Sequence, residues 1–136
     1  MARLLWALTC QRVITDRDTN LVSYIDGFEQ FGVPKLPFPF PPFYVATLWE
    51  RESPHDTLSM RIRVLAPNNK AFQTFEPKGA LKFPFPRHRV NVLLGGRVAV
   101  QQEGRFRIIL EQKKGNQWRK EKSLQIDVKL VSRDSE

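Results

Sequence analysis

Along most of this chain, apolar side chains return at every second position, a period that fits half-buried strands and not an amphipathic helix. Leu58, Met60, Ile62 and Val64 face one way, and Ser59, Arg61 and Arg63 face the other. Leu4, Trp6, Leu8 and Cys10 alternate with Leu5, Ala7, Thr9 and Gln11, and the pattern returns at Tyr44–Trp49, Val90–Leu94, Phe106–Leu110 and Leu124–Leu130. Phe106–Lys114 fits either period, and its β-branched residues favour a strand. The runs are separated by Asp16-Arg17-Asp18-Thr19-Asn20, Pro67-Asn68-Asn69-Lys70, Gly95-Gly96 and Gly115-Asn116, whose residue types suit turns. Roughly seven to nine short strands of this kind predict an all-β fold, an antiparallel β-sandwich, with a partly closed β-barrel as the alternative. The 136 residues suit one domain over 1–131, followed by a flexible polar tail at 132–136.

One motif occurs twice. Leu36-Pro-Phe-Pro-Phe-Pro aligns with Leu81-Lys-Phe-Pro-Phe-Pro, and Val45 and Leu48 then match Val90 and Leu93. Proline cannot donate to a ladder, so both copies are expected at crossovers or edges, with their Phe rings anchored on the core. Pro34-Lys35-Leu36-Pro37 also has the spacing read by polyproline-binding grooves. The interleaved Phe38, Phe40 and Phe43 are instead expected to be buried.

Charge is distributed unevenly. The net charge is +8, and the excess lies wholly in residues 69–136, with 15 basic side chains against 7 acidic ones. Arg105 and Arg107 alternate along one strand face, while Lys113, Lys114, Arg119, Lys120 and Lys122 surround the connection carrying Trp118. Cations beside an exposed ring suit an anionic or nucleic-acid contact, with charge on the phosphates and a ring for stacking. A solvated hairpin whose edge lysines block unwanted pairing explains the same residues.

The parts for catalysis are sparse. Cys10 is the one cysteine, and His55 and His88 are the two histidines, so a Cys10–His88 dyad is the remote enzymatic alternative. A zinc site needs three or four ligands, which these residues do not supply. Asp16-x-Asp18-x-Asn20 imitates the opening of a calcium loop, but Leu21 stands where glycine is needed and Gly27 where the bidentate acid is needed. No phosphate-binding glycine loop is present, so no cofactor, metal or catalytic residue is expected. A single cysteine, an apolar run too short for a secretory signal and the lack of a long apolar segment favour a cytoplasmic location and no membrane.

Cys10-x-x-Val13-Ile14-x-Asp16-x-x-Thr19-Asn20-x-Val22-Ser23, the Pro-Phe-Pro-Phe crossovers and Glu103-Gly104-x-Phe106-Arg107 together resemble a family of small bacterial proteins of similar length with no assigned activity. The resemblance implies a cytoplasmic β-sandwich with no catalytic residues to carry over. The function expected is therefore a non-enzymatic binding or scaffolding module with a protein partner. A nucleic-acid-binding β domain using the basic half is the alternative.

Overall fold

Among the described residues, the alternation resolves into thirteen strands: β1 (Arg3–Thr15), β2 (Val22–Gly27), β3 (Gln30–Val33), β4 (Phe38–Pro39), β5 (Phe43–Glu50), β6 (Thr57–Leu58), β7 (Met60–Leu65), β8 (Ala71–Phe75), β9 (Leu81–Lys82), β10 (Arg87–Leu94), β11 (Ala99–Val100), β12 (Gly104–Lys114) and β13 (Gln117–Leu130). The computed structural model describes residues 1–131, and the tail expected at 132–136 lies outside the described residues. No helix in it is long and apolar enough to cross a membrane.

Two sheets face each other as a sandwich. One is four-stranded in the order β10-β5-β1-β2, and the other is five-stranded in the order β3-β13-β12-β7-β8. Two-stranded pieces, β11-β4 and β6-β9, flank them. Among the described residues the two main sheets stay separate, each with edges of its own, so no closed barrel forms. Among the described residues, β13 with β3 is the one parallel pairing and the others are antiparallel.

The period-two side chains meet between the layers. Phe43, Val45 and Trp49 of β5 face Ile62 and Val64 of β7 and Phe106, Ile108 and Leu110 of β12 in one buried cluster. Phe40 sits at its centre, with the rings of Phe31, Phe43, Phe72 and Phe106 at 4.8, 5.2, 5.6 and 5.5 Å, separations typical of edge-on and tilted aromatic pairs. Trp49 is fully buried, and its indole N–H donates to Thr47 Oγ1 at 2.8 Å. Thr47 in turn donates to the Val90 carbonyl at 2.7 Å, so the polar end of the indole does not go unpaired.

The two proline-rich copies diverge. The first supplies β4, which pairs with β11, and Phe40 is anchored by its amide to the Val98 carbonyl. In the second, Phe83 is buried but Phe85 is 70% exposed, so the expectation that both rings anchor fails for Phe85. Strand β9 ends at Lys82, and Arg51 holds the following bend from outside, its Nη1 on the Phe83 carbonyl and its backbone N–H on that of Pro86.

Candidate functional site

The basic residues do not converge. On β12 and β13, register places Arg105, Arg107, Lys113, Trp118 and Lys120 on the outer face of the five-stranded sheet, and Lys114, Arg119 and Lys122 on the opposite face. Arg105 forms an ion pair with Asp127 at 2.9 Å, and this holds the Asp127 carboxyl below the usual carboxylate range. Arg107 donates to Asn69 Oδ1, and Lys114 lies 3.8 Å from Glu121. Trp118 belongs to β13 rather than to a connection, because the turn is only Gly115-Asn116, with Gly115 at φ +65°. One face of its ring is covered by the Arg61 guanidinium, 4.2 Å from the centroid. That ring face cannot serve as the stacking platform expected from the sequence.

Arg61 is fixed in turn. Its Nε and that of Arg63 lie 2.9 and 2.7 Å from the same oxygen of Glu111, a 6%-exposed carboxylate on the outer sheet face. Burial works against the Glu111 charge, but the two guanidiniums outweigh it and hold its pKa below the usual range.

The remaining chemical candidates separate. Cys10 pairs with Tyr44 and His88 with Trp49, so they lie two strands apart and five positions apart along β5, on opposite sheet faces. The Cys10–His88 dyad is therefore not formed. Cys10 is fully buried, its thiol donates to the Arg12 carbonyl at 3.4 Å, and burial pushes its pKa up. The calcium-like segment is a turn in which Asp16 Oδ1 accepts from the Asp18 and Thr19 amides at 2.8 and 3.0 Å. Among the described residues, no three His, Cys, Asp or Glu side chains cluster as a metal site.

What the fold does assemble is a groove between the two sheets. Strands β2 and β3 are almost one continuous run that leaves the first sheet and joins the second. The Phe28 amide donates to the Thr9 carbonyl of β1 at 3.2 Å, and one residue later the Glu29 carbonyl accepts from the Asp127 amide of β13 at 2.8 Å. This crossing strand covers β1 from Cys10 onward and β13 from Asp127 onward. Among the described residues, the edges before those points have no ladder partner on either strand.

The direction of the free main-chain groups follows from period two. The Thr9 carbonyl points away from β5, so the N–H and C=O of Ala7 do too; the Asp127 amide points away from β12, so those of Gln125 and Ser123 do too. Ala7, Ser123 and Gln125 line a cleft of about 620 Å³ between the two strands. Its floor is apolar, since Ala7 and Leu124 pack on the core. Its far end is closed where Gln112 Nε2 donates to the Ala2 carbonyl at 2.9 Å and to Glu121 at 3.2 Å. Glu121 reaches inward because a bulge makes it the extra residue between Lys120 and Lys122. Glu29 lines the cleft at the crossing and Lys122 lines it towards the closed end.

Of the residues that build this groove, sequence reasoning singled out only Lys122. Ala7, Thr9, Ser123 and Gln125 contribute backbone, which no residue-type motif marks; the one local signal is Asp26-Gly27, interrupting a β-type run where the chain changes sheets. Strand β10 is also a sheet edge. Its Arg87 is paired with Glu50, and its Arg89 donates to the Tyr24 hydroxyl and lies over the Trp6 ring. No protein-family model matches the chain, and no curated protein is significantly similar to it.

Proposed function

We propose that this domain is a non-enzymatic binding module that takes an extended segment of a protein partner by strand addition in the groove between β1 and β13. The single observation that carries the proposal is the set of regularly spaced main-chain donors and acceptors at Ala7, Ser123 and Gln125, which have no ladder partner on the cleft side among the described residues and lie over an apolar floor. Strand addition draws its affinity from such groups and its specificity from alternate side-chain positions. The bulges near Leu5 and Glu121 and the edge residue Lys122 keep these edges from pairing indiscriminately with any exposed strand. A cytoplasmic location and kinship with the small bacterial β-sandwich proteins belong to the same proposal.

The test uses fluorescein-labelled peptides of alternating valine and threonine, read by anisotropy and by amide hydrogen exchange. Binding should slow exchange at Ala7, Ser123 and Gln125. Ser123→Pro should abolish it while the fold persists, since that N–H is not used by β12. If no peptide binds, or if protection appears on β10 instead, the proposal is wrong. An oligonucleotide that binds with a steep salt dependence while the peptides do not would establish the basic half as the site instead.

A further inference from the structure

We infer that the groove selects a strand carrying an apolar residue followed two positions later by an acidic side chain, with Lys122 as the residue that reads the acid. The inference rests on the strand-addition reading above and adds the chemistry of the occupant. Register sets it. Lys122 lies opposite Leu110 and Leu124 opposite Ile108, and both of those partners are fully buried, so Lys122 and Leu124 point to the inner side of β13. An added strand has its own inner positions beside these two, two residues apart. The position beside Leu124 lies over the apolar floor that Leu124 shares with Ala7. The position beside Lys122 meets an exposed ammonium.

Nearby carboxylates do not neutralise that ammonium. Glu121 is engaged by Gln112 and lies 3.8 Å from Lys114, and Asp127 is held by Arg105. Glu29 lies at the other end of the groove, beside the crossing at Asp127. Among the described residues no carboxylate stands within ion-pair distance of Lys122. The groove is thus negative where the crossing strand blocks it and positive towards its closed end. Antiparallel pairing with β13, the stronger arrangement, runs the occupant from Glu29 towards Lys122, so the apolar residue comes first and the acid second.

The probes are C-terminally amidated peptides of alternating valine and threonine, with Glu, Gln or Lys at the position beside Lys122. Amidation removes the terminal carboxylate as a competing source of charge. The Glu peptide should bind roughly fivefold more tightly than the Gln peptide, the size of a partly exposed ion pair, and the advantage should shrink with added salt. Lys122→Glu should reverse the order in favour of the Lys peptide, and Lys122→Gln should abolish discrimination without reversing it. Three peptides that bind within twofold of one another, in an order indifferent to Lys122→Glu, would overturn this inference and leave strand addition standing. If none of the three binds wild type or variant, both fall.

Discussion

Replacing Glu111 by glutamine should destabilise the domain through two arginines rather than through lost packing. The wild-type carboxylate accepts four hydrogen bonds from Arg61 and Arg63, at 2.9, 3.2, 2.7 and 3.3 Å. Glutamine keeps the volume, but it removes the charge and turns an N–H₂ donor towards a guanidinium that can only donate. Truncating one member of a fully buried pair costs about 3–5 kcal/mol. Here the Arg61 and Arg63 side chains are 22% and 38% exposed, so water takes up part of the loss. A cost of about 2 kcal/mol follows, which for a domain of this size lowers Tm by roughly 6 °C.

The pH dependence carries the diagnostic. The folded pKa of Glu111 lies below its unfolded value, so its stabilisation is fully present above an unfolded pKa of about 4.3 and is lost as pH falls through the folded value. Calorimetric melts of wild type and Glu111→Gln should therefore differ at neutral pH and converge in acid. Equal Tm values at neutral pH, or a deficit that persists undiminished below the folded pKa, would refute this account of the cluster.

Other sites give sharper contrasts. Thr47→Val leaves the fully buried indole N–H of Trp49 without an acceptor and should cost about 1–3 kcal/mol in urea melts, with a shift in tryptophan emission. Gly95→Ala should destabilise far more than Gly115→Ala, although both have positive φ, because a methyl at 95 meets the Pro41 carbonyl oxygen at 2.6 Å while one at 115 meets nothing within 4 Å. The Gly115 change should cost only about 1 kcal/mol, so melts of the two variants side by side separate dihedral strain from collision. The Cys10 thiol should react with a maleimide only on the timescale of unfolding, since it is fully buried and its pKa is raised. Rapid labelling of the native protein would contradict the burial.

The fold was legible wherever one face of a strand is buried. Met60, Ile62 and Val64 point inward and Arg61 and Arg63 outward, as their alternation predicts, and the Asp16–Asn20 segment turns on its own Asx bonds. Legibility failed where the outcome depends on a partner distant in sequence. The two proline-rich copies share Phe-Pro-Phe-Pro, yet Phe40 is buried and Phe85 exposed: the first pairs with β11 through Phe38 and Pro39, whereas the pairing of the second, with β6, stops at Lys82. Trp118 and the cations around it could be named but not placed, since their faces are set by pairing with β12 and by the bulge at Glu121. The groove was invisible for a deeper reason: its working groups are amides and carbonyls that every residue owns, and it exists only because one strand leaves the first sheet for the second.

That change of layer also bears on how the molecule assembles. Residues 22–33 complete the border of one layer and then of the other, so neither layer can finish its border while its counterpart is missing. A half-formed intermediate with one sheet intact is thereby disfavoured, and melting should proceed as a single cooperative event. The parallel register of β3 on β13 joins residues nearly a hundred positions apart, a loop closure that puts this chain among slowly folding β topologies.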